Sequence, residues 1–167
     1  YAQHVAFHFL PAFWRLHRVH HADTEFDVTT GVRFHIGEIL LSQVWKIIVV
    51  LALGAPAAAV LAFEIALNAT AMFSHANLHL PGALDRRLRL VTVTPEMHRV
   101  HHSVVMAETN SNFGFNLSLW DRLFGTYRAA STGDQAAMPI GLGAYRGPEP
   151  ARFLWLLAFP FARGPRA

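Results

Sequence analysis

The pentapeptide His-Arg-Val-His-His occurs twice in this chain, at His17 to His21 and at His98 to His102. A helix brings residues three and four apart side by side, so each copy puts three imidazoles on one face and reads as half of a nitrogen-lined pocket. His4 with His8 and His75 with His79 repeat the i, i+4 spacing, and the four clusters take ten of the eleven histidines. Clustered imidazoles serve either as a pH sensor or as metal ligands; the doubled triplet favours metal. Ten imidazoles exceed what one first-row ion binds, between four and about six ligands, so two ions are the economical reading. With about five nitrogens each, a six-coordinate ion keeps one position open, where oxygen or water reacts. Structural zinc, usually closed at four ligands, fits this count poorly.

A metal-bound imidazole needs a partner for its second ring nitrogen. Asp23, Asp27, Asn77 and Asn112 lie near the clusters in sequence, as do Glu96 and Glu108, and are candidates for that role together with His35. Asp121 beside Arg122 reads as a structural ion pair.

These clusters need elements to hold them together. Tyr1 to Leu10 reads as a helix ended or kinked by Pro11, and Ala12 to His21 resumes as the helix of the first triplet. Ala22 to Phe34, rich in Asp and Thr, reads as a loop at a membrane surface. From Ile36 to Phe73 the chain is apolar, broken once by Gly54-Ala55-Pro56. Each arm has roughly 18 residues, near the lower limit for crossing a hydrocarbon core of about 30 Å. The tight break makes the arms antiparallel, so both ends emerge on one side. Lys46 and Glu64 within the arms either snorkel or pair with each other.

Leu80-Pro81-Gly82 closes the second arm, and Asp85 to Val93 is a basic amphipathic stretch suited to an interface. Thr94-Pro95-Glu96 is a helix start, with Thr94 as N-cap and Pro95 in the first position, for the second triplet. Phe153 to Phe161 is too short to span and is expected at the interface or docked on the hairpin.

Composition agrees with a membrane as part of the solvent. The 167 residues are one domain's worth of chain, 53% hydrophobic and only 15% charged, with mean hydropathy +0.27. That is too apolar for an ordinary soluble domain. The net charge of +3 comes from basic residues that flank the apolar stretch rather than forming a patch interleaved with aromatics, which argues against nucleic acid. Arg15, Arg18 and Arg33 precede the hairpin, Arg86, Arg87, Arg89 and Arg99 follow it, and the turn has none. The positive-inside rule then puts the histidines on the cytoplasmic face. With no cysteine, disulfides, thiolate nucleophiles and thiolate-bound zinc or iron–sulfur clusters are excluded. The chain starts at Tyr1, already inside an apolar helix, and is expected to be a fragment lacking its N-terminal membrane helices.

These segments together match a family pattern. His4-x-x-x-His8, Trp14-Arg15-x-His17-x-x-His20-His21, Arg33-Phe34-His35, Phe73-Ser74-His75-Ala76-Asn77 and Thr94-Pro95-x-Met97-His98-x-x-His101-His102 resemble the fatty acid hydroxylase and sterol desaturase superfamily. Glu108-Thr109-Asn110-Ser111-Asn112-Phe113-Gly114 and Leu119-Trp120-Asp121-Arg122-Leu123-Phe124-Gly125-Thr126-Tyr127 extend the match. The resemblance implies an all-α integral membrane enzyme, here one domain over residues 1–167, with a transmembrane hairpin and a histidine-rich helical cap. It implies two non-haem iron ions, O2 as co-substrate and an external electron donor such as a cytochrome b5-like protein, a ferredoxin or a reductase. The implied ligands are His4, His8, His17, His20, His21, His75, His79, His98, His101 and His102. The implied reaction is hydroxylation or desaturation of a lipid at an unactivated C–H bond, the lipid being fatty acyl, sterol or related. A membrane zinc metallohydrolase using metal-bound water and a non-catalytic metal-binding or transport protein are the competing readings.

Overall fold

The computed structural model describes residues 1–135 and 137–163, and its regular elements are helices. Helices α1 (Ala2–Phe9) and α2 (Pro11–His21) are separated by Leu10 in an extended conformation, with Pro11 opening α2. Proline fits a first helical position because its missing N–H has no helical partner there. The break lets α1 fold back on α2. His4 and His8 thereby face His17 and His21.

Helices α3 (Ile36–Leu53) and α4 (Ala57–Ser74) form the hairpin, each of 18 residues and apolar enough to cross a membrane. Only 6% of each window is buried within the protein, so their apolar side chains face outward, as in a helix that crosses a membrane. Gly54 ends α3 in the left-handed region at φ 61, the usual place for a residue without a Cβ. Lys46 Nζ and Glu64 Oε1 meet across the hairpin at 2.7 Å. Either charge alone at mid-bilayer costs about 2.5–3.5 kcal/mol on insertion scales, and pairing offsets part of this.

Beyond the hairpin come α5 (Gly82–Leu88), α6 (Pro95–His101), α7 (Met106–Thr109), α8 (Leu119–Leu123) and α9 (Phe153–Ala158). Thr94 caps α6 by accepting a hydrogen bond from the Met97 N–H at 3.3 Å, and Pro95 opens it, as the sequence predicts. On α5, Asp85 pairs with Arg89 at 2.7 Å while Leu84, Leu90 and Val91 stay exposed.

Three expectations change. The Ala22 to Phe34 segment is not merely a surface loop, because Ala22, Asp23, Phe26, Thr30 and Gly31 are buried. It slides aromatic rings beneath the histidines, with Phe34 stacked on His20 at 4.3 Å between ring centroids. The C-terminal run docks chiefly on α2: Phe159 joins Val19, Ala22 and Leu142 in an apolar cluster, and Arg18 donates to the Phe159 carbonyl at 2.5 Å. Asp121 and Arg122 do not pair. Asp121 accepts from the Phe113 and Gly114 N–H groups and from Thr126, whereas Arg122 lies over the Tyr127 ring.

Candidate metal centre

Nine of the ten predicted ligands converge in two groups, His4, His8, His17, His21 and His101 in one and His20, His75, His98 and His102 in the other. Within each group one nitrogen per ring lies within 4.8 Å of every other. The groups adjoin, with His21 and His102 stacked at 4.6 Å between centroids.

Each triplet is divided between the groups. On a helix, i and i+4 are about 40° apart in azimuth while i+3 falls about 100° from i+4. His17 with His21, and His98 with His102, therefore stay together, and His20 and His101 cross to the neighbouring group. Neither pentapeptide is half of one pocket; each contributes to both.

In the five-histidine group, four rings have Nδ1 anchored. His4 Nδ1 donates to the Phe113 carbonyl at 2.7 Å and His101 Nδ1 to the Ser111 carbonyl at 2.7 Å. His8 Nδ1 meets Asn110 Oδ1 at 3.2 Å, and His17 Nδ1 meets Glu38 Oε1 at 2.7 Å. A proton on Nδ1 leaves a lone pair on Nε2. Yet His4 Nε2 and His17 Nε2 face each other at 3.0 Å, and the Nε2 atoms of His8, His21 and His101 are buried without a protein partner. Facing lone pairs repel unless a cation lies between them. A separation of 3.0 Å also matches adjacent donors around one ion with bonds of about 2.1 Å at right angles.

The four-histidine group converges in the same way, but His75 is the ring anchored through Nδ1, while the Nδ1 atoms of His20 and His98 are buried without a partner. His75 Nδ1 donates to the Ala71 carbonyl at 2.7 Å, and its Nε2 faces His98 Nε2 at 3.0 Å and His20 Nε2 at 3.3 Å. Both ring nitrogens of His102 are buried without a partner. The donor set fits two transition-metal ions bound by imidazole.

His79 does not join either group. Helix α4 stops at Ser74 with His75 as its cap, so the i, i+4 relation between His75 and His79 is not carried by a helix. The His79 side chain is 66% exposed and its Nδ1 sits 2.6 Å from Glu96.

The predicted partners of the second ring nitrogens are mostly elsewhere. Asp23 holds Arg33 at 2.8 Å and accepts from Thr30, and Asp27 caps its own turn through Thr29. Asn77 accepts from Arg99, while Asn112, at φ 53, ties the Met97 carbonyl to Arg128. His35 caps α3 by accepting from Gly37 N–H, and Glu108 accepts from Thr132. None of these has a hydrogen bond to the nine histidines. The partners instead are Glu38, Asn110 and the Ser111, Phe113 and Ala71 carbonyls. A buried acid in the first turn of an otherwise apolar helix was the available signal for Glu38; backbone carbonyls leave no trace in residue type. The loop supplying three acceptors is clamped by Asp121, and a Cβ at Gly114 would lie 2.7 Å from the Leu117 carbonyl, so that approach requires glycine.

Burial, and after it the neighbouring imidazoles, hold His4, His8, His17, His20, His21, His98 and His102 well below the ordinary histidine range. Burial likewise pushes His75 down to about 4 and His101 down to about 3. The rings are thus neutral, as ligation requires. The unfolded chain protonates first as pH falls below about 6.5, so stability is full above that value and declines toward pH 3–4. Metal-loaded protein is expected to keep its ions at pH 7 and release them on acidification through this window, followed by metal analysis after gel filtration. Full retention at pH 4 would contradict ligation by these rings.

The fatty acid hydroxylase family model matches residues 1–126. An ornithine lipid hydroxylase from Rhizobium tropici is 34% identical over 98% of this chain and 47% of its own length. Alkylglycerol monooxygenases of Danio rerio and Homo sapiens are 32% and 30% identical, over 74% and 75% of this chain and 27% of their own lengths. The chain thus spans about half or less of the curated relatives it matches. No solved structure matches it closely.

Proposed function

Since the chain belongs to the fatty acid hydroxylase family, we propose that it is the histidine-rich part of a membrane-bound, O2-dependent di-iron oxygenase that hydroxylates an unactivated C–H bond of a lipid. The observation that carries this reading is the convergence of nine buried imidazoles in two groups, with the Nε2 atoms of His4 and His17 facing each other while their Nδ1 atoms are held elsewhere. His4, His8, His17, His21 and His101 hold one ion; His20, His75, His98 and His102 hold the other. Iron held there would supply reductive activation of O2, with two electrons from a separate donor and two protons from solvent, one oxygen atom entering the C–H bond and the other leaving as water.

The chain's own contribution is positioning and dryness. Glu38, Asn110 and the loop carbonyls fix ring orientation, while Phe26, Phe34 and Phe113 pack against the rings and keep water out. The lipid-facing arms of α3 and α4 lead to this centre, because His75 caps α4 and Glu38 lies in the first turn of α3. The arginines flanking the hairpin support a cytoplasmic centre. The activities named for the relatives make ornithine lipid and alkylglycerol the first substrates to try.

Purified protein should contain iron at about two ions per chain. It should convert lipid to a product 16 mass units heavier, an expectation set by the mass of one oxygen atom, only with O2 and reductant. Turnover without oxygen would favour the zinc hydrolase reading, and activity without iron would overturn the proposal. A transport role requires ligands along a membrane path, whereas among the described residues the histidine groups sit beside the foot of the hairpin.

A further inference from the structure

A cleft of about 300 Å³ opens beside the four-histidine group, large enough for a small polar head. Its lining carries two guanidinium residues, Arg99 and Arg146, two acidic residues, Glu25 and Asp27, and the amide residue Asn77. Phe26 also lines it, and that ring meets the rings of His75, His98 and His102 at 5.8, 6.4 and 5.3 Å between centroids. The Arg99 guanidinium lies 4.7 Å from the Phe26 ring centre. One aromatic ring therefore separates the cleft from the proposed iron ligands.

Part of the wall is continuous in sequence with those ligands. Arg99 follows His98, Asn77 lies two residues after His75, and Glu25 to Asp27 follow His21 by a few residues. Whatever orders the cleft also orders the metal site. The two charges of each sign are balanced. A ligand of one sign would meet repulsion from half the lining, whereas one bearing both signs is attracted by all of it. Arg99 Nη2 donates to Asn77 Oδ1 at 3.0 Å, which holds the guanidinium at the cleft wall, and guanidinium groups are suited to acid groups.

We infer that this cleft binds a zwitterionic head, an ammonium and an acid group on one small body, and so selects a lipid with such a head over an uncharged one. The inference rests on the lipid-oxygenase reading and narrows its substrate. The test measures binding and turnover separately, with iron-loaded protein in detergent, using a short-chain ornithine lipid, free ornithine and an uncharged alkylglycerol of matching chain. Glu25→Gln and Arg146→Gln are each expected to weaken binding of the ornithine lipid by about tenfold, raising KM with kcat within about twofold and iron content unchanged. The Glu25 side chain is exposed, so its variant keeps the fold even if loss of the Arg146 bond to the Ile140 carbonyl disturbs it.

Competition by free ornithine that both variants weaken would support the cleft and show that the head alone suffices. Equal affinity for the uncharged lipid, or unchanged affinity in both variants, would overturn the inference even if lipids are oxidised. Variant-sensitive binding with no oxidation of any lipid would sink the oxygenase reading and leave the cleft standing.

Discussion

Replacing His20 by alanine should lower the metal content from about two ions to about one per chain, and lipid oxidation by at least about a hundredfold. His20 belongs with His75, His98 and His102, so its loss leaves three imidazoles there while the five-histidine group keeps its full set. His101→Ala is the complementary case, reducing the larger group to four rings and leaving the smaller intact. Four rings are as many as hold the other ion, so His101→Ala should keep about two ions with one bound more weakly, and the two variants differ in metal content although their residues occupy equivalent helical faces. Both should insert normally, because neither residue lies in α3 or α4. Metal analysis with activity on the same preparation checks this. Wild-type metal and turnover in both variants would remove the triplets from the centre.

Removing the Glu38 carboxylate is expected to weaken metal binding by roughly 10- to 100-fold, the usual cost of losing a partner to a ligating histidine. Glu38 holds His17 Nδ1 at 2.7 Å with both side chains buried, which fixes the tautomer and turns Nε2 toward His4. Glu38→Gln retains an oxygen acceptor and should lose less than Glu38→Ala. The effect is confined to the five-histidine group, so competition with a chelator should show one weakened ion and one of ordinary affinity. Failed insertion does not explain such a loss, because removing an acid from an apolar helix makes insertion easier. If Glu38→Ala leaves both chelator midpoints unmoved, the contact is structural only.

Much of the proposed centre was legible because metal ligation would restrict residue type severely. The nine converging rings are all histidines, six of them in i, i+4 pairs, and the doubled pentapeptide exposed both the residue type and the spacing. The apolar arms and the Gly54-Ala55-Pro56 break were equally visible, since lipid demands long apolar helices and a reversal demands a special backbone. His79 misled because the same spacing outside a helix has no geometric meaning, and α4 ends before reaching it. The carboxylates near the clusters in sequence misled for a related reason: proximity along a loop does not aim a side chain. Asp23 is spent on Arg33 and Asp27 on its own turn, while Glu38 reaches His17 from another helix.

By itself the sequence determined how many imidazoles there are, that they come in helical pairs, and that an apolar hairpin separates the two triplets. Those properties follow from composition and from the 3.6-residue period of a helix, which are local. The tertiary structure alone decided that each triplet is shared between two groups, that the larger group takes its ring partners from Glu38, Asn110 and two loop carbonyls, and that a charge-balanced cleft lies one aromatic ring from the smaller group. These depend on how α1, α2, α6 and the loops pack, and contacts such as that of His4 with Phe113, 109 positions apart, leave no periodic mark in the chain.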